Sequence, residues 1–281
     1  MRRRRLLHLG AVTFVAAQLV LPPVLVAARD RLLFFPSQRP TAAARLPHAP
    51  KIHAELFEVP RPDGHVLVGY DVRPFGAADA PVLLCFHGNG GNVGSRANWV
   101  ADLARGTGVR VVLAEYSGYG GCGGEPDSDG FIEDALAFHD RLTAEGVDPR
   151  QIVLFGESLG GVAALAVANE RPSAGVITQS TFSSLSSMAW RRFGFLPLTA
   201  LLARGKLDNA ARAAQLDVPL LVVHGTDDEI VPFAESERLA AATERAERHV
   251  IRGAHHNDMP ERGGREYLAL LRERVRDWTA R

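Results

Sequence analysis

The chain has 281 residues, 46% of them apolar and 23% charged, which predicts one compact domain with a sizeable hydrophobic core. Thirty-two basic residues balance thirty-two acidic ones and no basic patch carries interleaved aromatic residues, so a nucleic-acid partner is excluded. The two cysteines, Cys85 and Cys122, have no second Cys or His at zinc spacing, so we expect free thiols rather than a disulfide, and no metal site.

The first thirty residues differ in kind from the rest of the chain. Four consecutive arginines precede an apolar run from Leu6 to Ala28, which as a helix is long enough to cross a bilayer core of about 30 Å. A signal anchor would hold the arginines in the cytoplasm, whereas a cleaved signal peptide is the alternative because Leu9 to Leu21 has the length of an h-region. We therefore expect segment 1–30 to be an anchor or a signal. Domain 31–281 is expected outside the cytoplasmic membrane, anchored to it or exported in soluble form.

From about residue 50, short β-branched runs alternate with segments of helical length. Two runs joined by the turn "PRPDG" predict an antiparallel hairpin, "IHAELFEV" and "HVLVGYDV". Five later runs are nearly all apolar, as is typical of strands buried on both faces: "VLLCF", "VRVVLAEY", "QIVLFG", "AGVITQ" and "PLLVVHG". This alternation predicts an α/β fold whose parallel sheet has helices on both faces. Ligands of such sheets gather at the carboxyl ends of the strands, so functional residues are expected directly after each run.

Ser158 occupies such a place in "FGESLGG", where the spacing is G-x-S-x-G. A sharp turn from strand to helix needs glycine at Gly156 and Gly160, because side chains there would collide with the neighbouring strand and helix. The turn would expose the serine oxygen and direct the following backbone N–H groups toward an anion formed there. A serine hydroxyl is a weak nucleophile without a base, so catalysis also requires a histidine and an acid further along the chain.

Two later loops offer the base and the acid. The stretch "VIRGAHHNDMP" follows the predicted strand "RHVI", and we take His256 as the base, with structural roles for His249 and His255. The acid is expected after the preceding strand, where "HGTDDEIVP" offers three carboxylates, Asp227, Asp228 and Glu229. Two further histidines close apolar strands and are expected to orient loops by hydrogen bonding, His87 and His224. The remaining histidines lie in the N-terminal region, the hairpin or a helix: His8, His48, His53, His65 and His139.

Four ordered blocks give the chain a family resemblance: "FHGNGGN", "EYSGYGGCGGEP", "GESLGG", and "HGTDDEIVP" with "GAHHND". From about residue 33 to 278 the sequence resembles the serine hydrolases of the α/β-hydrolase fold. It is most similar to the small, nearly lidless, membrane-anchored group of depalmitoylating thioesterases and related esterases. The resemblance implies a mostly parallel eight-stranded sheet with helices on both faces and a short cap segment. It places the acid at Asp228, three residues after the glycine of "HG", and the histidine at His256, directly before "ND". Two departures are His255, where the family often has glycine, and Gly121-Cys122, where arginine-serine is common and the pocket mouth would differ.

The implied reaction is acyl transfer on an ester or thioester of a small-molecule or acylated substrate, without a cofactor. His256 would deprotonate Ser158 while Asp228 holds the imidazole, and the backbone N–H groups of Asn89 and Leu159 would bind the oxyanion. The side chain of Asn89 or Asn92 is expected to brace the oxyanion loop. Phosphate binding by the glycines of this loop is disfavoured, because no GKS or GKT element follows.

About forty residues between Ser180 and Pro219 form the predicted cap segment, which is too short for a separate lid domain. Its larger apolar side chains would line an acyl groove or pack against the sheet: Met188, Trp190, Phe193, Phe195 and Leu196. A serine peptidase or amidase of the same fold is an alternative, although such relatives usually carry a propeller or a larger cap. A non-catalytic binding module is a second alternative, against which the complete triad argues.

Overall fold

The computed structural model describes residues 20–41, 46–77, 80–193, 205 and 207–280. Within these ranges ten strands are found: β1 (Phe35–Pro36), β2 (Ile52–Pro60), β3 (Val66–Pro74), β4 (Val82–Phe86), β5 (Gly90–Gly91), β6 (Arg110–Ala114), β7 (Ile152–Glu157), β8 (Gly175–Gln179), β9 (Leu220–Gly225) and β10 (Ala246–Ile251). The described helices are α1 (Arg29–Leu33), α2 (Ala97–Thr107), α3 (Gly130–Ala144), α4 (Gly160–Glu170), α5 (Leu185–Phe193), α6 (Asn209–Ala213), α7 (Ala234–Ala240) and α8 (Met259–Thr279). Residues 20–27, before α1, are also helical.

Eight strands form one sheet in the order β10-β9-β8-β7-β4-β6-β3-β2, and β1 pairs with β5 in a separate two-stranded sheet. Among the described strands of the large sheet, β3 has the opposite direction to the others: it pairs antiparallel with β2 and β6, and all other pairs are parallel. The predicted hairpin and the mostly parallel eight-stranded sheet are therefore confirmed.

The core consists of two apolar layers, one on each face of the sheet. Strand residues alternate between the layers: Leu84 and Leu154 pack with Phe138 of α3 and Val162 of α4 on one face. On the opposite face their neighbours Leu83 and Val153 pack with side chains of α2 and α8. Because both faces are covered, every residue of β4, β8 and β9 is buried, which explains their continuous apolar runs.

The N-terminal prediction falls largely outside the described residues, since the run from Leu6 to Ala28 begins in segment 1–19. In the part of the chain that the structure describes, no helix has both the length and the apolar character needed to cross a membrane. The cap segment is described as far as α5 and again from 207, while Phe195 and Leu196 lie outside the described residues.

Candidate active site

Ser158 lies at the sharp turn between β7 and α4, with a backbone φ of +53° that few non-glycine residues adopt. Its amide donates a 2.8 Å hydrogen bond to the carbonyl of Gln179 at the end of β8, which fixes the turn. A Cβ added at Gly156 would collide with the backbone of Gly160, and one at Gly160 would collide with the carbonyl oxygen of Phe86. The glycines are therefore required by the close approach of strand and helix, as the sequence predicts.

His256 lies in the loop between β10 and α8 and is buried, with 5% of its surface exposed. Its Nε2 lies 3.1 Å from the Oγ of Ser158, so the ring is in hydrogen-bond contact with the serine hydroxyl. Its Nδ1 lies 2.8 Å from Oδ2 and 3.0 Å from Oδ1 of Asp228. An ionised carboxylate only accepts hydrogen bonds, so the imidazole proton belongs on Nδ1 and the Nε2 lone pair faces Ser158.

Asp228 follows β9, and its carboxylate is enclosed by donors. Oδ1 accepts hydrogen bonds from the amides of Ile230 and Val231 at 3.0 and 2.8 Å, and the Nε2 of His224 lies 3.3 Å from Oδ2. Burial raises the pKa of this carboxyl, but the hydrogen bonds from His224 and His256 outweigh that effect and hold the pKa well below its ordinary value. Asp228 therefore stays ionised at pH values where an ordinary aspartate begins to take up a proton.

Asn89 and Leu159 supply two backbone amides beside the serine. Leu159 directly follows Ser158 at the N-terminus of α4, and Gly88 is so close that a Cβ there would lie 3.3 Å from the Cβ of Ser158. Neither the amide of Asn89 nor that of Leu159 donates to another described residue. Both amides thus lack an acceptor among the described residues, as the donors of an oxyanion site must before substrate binds.

The side chains of the oxyanion loop act as braces. The Nδ2 of Asn89 donates to the carbonyl of Leu33 at 2.9 Å, and the Nδ2 of Asn92 donates to that of Arg39 at 2.8 Å. The Oδ1 of Asn92 also accepts from the amide of Ser95 and caps the short 3₁₀ helix at Val93–Arg96. The predicted bracing role therefore applies to both asparagines.

A cavity of about 440 Å³ adjoins the nucleophile turn and the histidine loop. Glu157 precedes Ser158 and Asn257 follows His256, and both side chains line this cavity together with Arg96. The guanidinium of Arg96 lies 3.4 Å from the carboxylate of Glu157, and both groups are mostly buried. One wall of the cavity is therefore the Arg96–Glu157 pair, whereas Ser158, Asp228 and His256 are not among its lining residues.

A family model described as the prolyl oligopeptidase family matches residues 95–256, which is more than half of the chain. The chain belongs to the prolyl oligopeptidase family. The matched range includes all three members of the Ser158, Asp228 and His256 arrangement. Membership supports hydrolase activity and the predicted α/β-hydrolase superfamily, without specifying the substrate.

The sequence similarity between this family member and its relatives extends over most of the chain. It is 34% identical over 267 residues to an uncharacterized protein of Mycobacterium tuberculosis, covering 94% of this chain and 89% of that protein. Alpha/beta hydrolase domain-containing protein WAV2 of Arabidopsis thaliana is 28% identical, covering 74% of this chain and 73% of its own. Alpha/beta hydrolase domain-containing protein 17B of Homo sapiens is 29% identical, covering 69% and 65%.

Solved structures share the fold of this prolyl oligopeptidase family member. An esterase/lipase from an uncultured bacterium matches with a TM-score of 0.65 at 18% identity over 92% of both chains. The Pyrococcus furiosus esterase PF2001 matches with a TM-score of 0.64 at 17% identity, covering 88% of this chain and 98% of its own. The α/β-hydrolase fold predicted from the sequence is confirmed.

Three other side chains considered in the sequence have hydrogen-bond partners other than Ser158: His255, Asp227 and Cys122. His255 is exposed and its Nδ1 lies 3.1 Å from the carboxylate of Glu229, so the neighbouring histidine forms a surface pair. Asp227 is exposed and accepts a hydrogen bond from Thr226. Cys122 is a free, buried thiol whose Sγ accepts a hydrogen bond from the amide of Val68.

In the cap segment, the described apolar side chains have two different environments. Met188 of α5 packs against the core, whereas Trp190 is 56% exposed. The start of α5 is held to α7 by Glu235, whose buried carboxylate accepts hydrogen bonds from Ser183 and Ser187. Burial raises the pKa of this carboxyl, but these hydrogen bonds outweigh burial and lower it.

Two contacts near the site of this prolyl oligopeptidase family member were not predicted from the sequence. His224 reaches Asp228 four residues on, in addition to donating to the carbonyl of Val231 at 2.8 Å. Glu115 is fully buried directly after β6 and pairs with His87 at 2.8 Å. The available signals were the "HG" that ends β4 and β9 and a charged residue in the apolar run "VRVVLAEY".

Proposed function

We propose that this protein is a serine hydrolase that cleaves carboxylic ester or thioester bonds through an acyl-enzyme intermediate. The observation that carries this proposal is the continuous hydrogen-bonded chain from Ser158 Oγ to His256 Nε2 at 3.1 Å and from His256 Nδ1 to Asp228 at 2.8 Å. A nucleophile, a base within hydrogen-bond distance and a group that orients the base are the three parts that serine acylation requires.

The proposed reaction begins when His256 takes the proton of Ser158 as the serine oxygen attacks the carbonyl carbon. Asp228, kept ionised by its depressed pKa, stabilises the imidazolium that forms. The amides of Asn89 and Leu159 would bind the oxyanion, and each such donor contributes about 3–4 kcal/mol to lowering the barrier in other serine hydrolases. His256 then protonates the leaving group, and water attacks the acyl-enzyme with the same residue as base.

The second candidate is a serine peptidase or amidase, because the matching family is described as the prolyl oligopeptidase family. The same triad can cleave an amide, so the distinction depends on how the leaving group is bound and protonated. The contacts among Ser158, His256 and Asp228 serve either bond type.

Labelling with a fluorophosphonate probe tests the nucleophile. We expect wild type to be labelled and Ser158→Ala to be unlabelled, since the probe reacts with an activated serine. Ser173→Ala is a matched control, because the Oγ of Ser173 is buried, has no hydrogen-bond partner among the described residues and lies in the loop before β8. A folded wild type that resists the probe would defeat the serine hydrolase proposal and favour a non-catalytic binding module.

An activity profile over esters, thioesters and peptide amides then selects the reaction class, with Ser158→Ala as the blank. Hydrolysis of esters and thioesters with no turnover of amides supports the first candidate, and the reverse supports the second. Within the esters, p-nitrophenyl substrates of increasing acyl length test for a groove formed by the cap segment. A strict preference for acetate would count against long acyl chains as substrates.

The proposed setting of this reaction is the extracytoplasmic side of the membrane, with segment 1–30 as a signal anchor. The four arginines and the following apolar run support this placement, and an exported soluble form after signal cleavage is the alternative. Detergent fractionation and N-terminal sequencing of the mature protein distinguish the two. A soluble product beginning near Ala28 would exclude the anchor.

A further inference from the structure

The residues that follow β8 lie between the strand that leads to the nucleophile and the strand that leads to the acid. In the sheet, β8 pairs with β7, which ends at the turn of Ser158, and with β9, which precedes Asp228. The first two residues after β8, Ser180 and Thr181, are buried, with 0% and 1% of their surfaces exposed. This dipeptide is therefore placed to contact both sides of the proposed triad.

Thr181 holds the carbonyl side of the nucleophile turn. Its Oγ1 lies 3.1 Å from the carbonyl oxygen of Ser158, and 3.2 and 3.5 Å from those of Gln179 and Gly156. Carbonyl oxygens only accept hydrogen bonds, so the hydroxyl is the donor, and the shortest of the three distances is to Ser158. The amide of Ser158 in turn donates to the carbonyl of Gln179 at 2.8 Å. The end of β8 and the residue two positions later thus bind Ser158 through both of its backbone polar groups.

Gly161 makes room for this contact. A Cβ built at Gly161 would lie 2.3 Å from Oγ1 and 2.4 Å from Cγ2 of Thr181, so a larger residue there would displace the threonine. The amide of Gly161 also donates to the Ser158 carbonyl, at 3.1 Å. The second glycine of "GESLGG" is therefore matched to Thr181, whereas Gly160 is matched to the backbone at the end of β4.

Ser180 has a left-handed backbone, with a φ of +50°. Among the described non-glycine residues, only Lys51 and Ser158 share a positive φ. This conformation is unfavourable for a residue with a Cβ, so it persists only where the surroundings hold it. The amide of Ser180 donates to the carbonyl of Val223 in β9 at 3.0 Å, and its Oγ lies 3.5 Å from the carbonyl oxygen of His256. The chain therefore leaves β8 in contact with β9 and the histidine loop, while the next residue contacts the nucleophile turn.

We propose that Ser180 and Thr181 are positioning residues, a clamp that keeps Ser158 at hydrogen-bond distance from His256. The catalytic consequence rests on the proposed serine hydrolase function. The Thr181 hydroxyl holds the left-handed turn of Ser158, and the backbone of Ser180 directs that hydroxyl to the turn. Without this donor the serine Oγ is less restrained, and a displacement of about 1 Å costs up to about 100-fold in rate.

Thr181→Val tests the clamp because it removes the hydroxyl and keeps the shape of the side chain. We expect kcat on an ester substrate to fall about 5- to 50-fold with KM changed less than about threefold, and fluorophosphonate labelling to slow by a similar factor. Thr181→Ser restores the donor, so its kcat should return to within about threefold of wild type. A kcat of Thr181→Val within about twofold of wild type, as for an ordinary substitution, would overturn the proposal.

Thr178→Val is the matched control for the loss of a buried threonine hydroxyl. Thr178 lies in β8, is fully buried, and has its Oγ1 3.5 Å from the carbonyl oxygen of Leu221 in β9. Both variants lose a buried hydroxyl, so both melting temperatures should fall, whereas only Thr181→Val should lose rate. Equal kcat values for the two variants would refute the positioning role.

Ser180→Gly covers the case in which Thr181→Val does not fold. Glycine adopts a φ of +50° without strain, so the fold should be kept, but the freer backbone should direct Thr181 less well. We expect kcat to fall about two- to fivefold with the melting temperature within about 3 °C of wild type, and an unchanged kcat would count against the clamp.

The labelling experiment separates the two proposals. A folded wild type that is not labelled defeats the serine hydrolase function. A wild type that is labelled on Ser158, together with Thr181→Val labelled at the same rate, defeats the clamp alone.

Discussion

The replacement Asp228→Asn tests the proposed triad through the proton on His256. In wild type, Oδ1 of Asp228 accepts from two backbone amides and Oδ2 lies 2.8 Å from Nδ1 of His256. The backbone amides need an acceptor, so the oxygen of an asparagine would take the Oδ1 position and its NH₂ group would face His256. The imidazole would then have to accept at Nδ1 and carry its proton on Nε2.

A proton on Nε2 faces the Ser158 hydroxyl, so His256 could no longer accept the serine proton. The same replacement in a well-studied serine protease lowers kcat about 10⁴-fold, which corresponds to about 5 kcal/mol of transition-state stabilisation. We expect a loss of that order here, with KM changed far less, because the side chain of Asp228 is fully buried against His256. The assay is kcat and KM on the best ester found in the substrate profile.

Asp227→Asn is the matched control, since it makes the same chemical change one residue away on an exposed side chain whose hydrogen-bond partner among the described residues is the hydroxyl of Thr226. We expect its kcat to stay within about twofold of wild type, as for an ordinary surface substitution. If Asp228→Asn kept a kcat within tenfold of Asp227→Asn, the assignment of the acid would be wrong.

Three further predictions concern His224, Gly160 and the pH dependence of the contribution of Asp228 to stability. His224→Phe keeps the ring volume but removes a hydrogen bond to the carboxylate of Asp228, so we expect kcat to fall about tenfold in steady-state assays with KM unchanged. Gly160→Ala should lower the melting temperature by about 3–10 °C in calorimetry because its Cβ meets the carbonyl of the neighbouring strand, whereas Gly90→Ala, with open space, should not. The pKa of Asp228 is lower in the folded than in the unfolded chain, so its contribution to stability is present above about pH 4 and is lost as pH falls further. The difference in melting temperature between wild type and Asp228→Asn should therefore shrink from pH 6 to pH 3, and a constant difference would contradict the depressed pKa.

The sheet was predictable from the sequence because strands that are buried on both faces are nearly continuous runs of apolar residues. Strands β4, β7, β8 and β9 are nearly continuous apolar runs, and each is followed by a loop at the carboxyl edge of the sheet. Ser158, Asp228 and His256 follow β7, β9 and β10, and the parallel arrangement brings these loops together. The position of a residue after its strand thus selected the loops, and the family resemblance, through the "HG" and "ND" signatures, chose between neighbouring residues within them.

The supporting contacts were not predictable in the same way, because they depend on pairings between distant segments. Nothing local indicates that Glu115 accepts from Thr41, 74 residues earlier, or that its carboxylate faces His87. The short pairing of β1 with β5 also has no periodic signal, since each strand has only two residues. A buried charge beside a glycine-rich loop marks such a contact only after the sheet order is known.

The β1 segment extends the candidate site beyond the four loops at the sheet edge. The Phe35 amide donates to the carbonyl of Asn89, and the Asn89 side chain donates back to the carbonyl of Leu33, so two hydrogen bonds join this segment to Asn89. Six residues after Phe35, the Thr41 hydroxyl donates to Glu115, the partner of His87. The stretch that leads out of α1 is thus bound to the same loop that would hold the oxyanion. A change in the position of the N-terminal helix would act on the oxyanion loop through these hydrogen bonds, whereas the contacts of Asp228 with His256 lie on later loops and do not involve this segment.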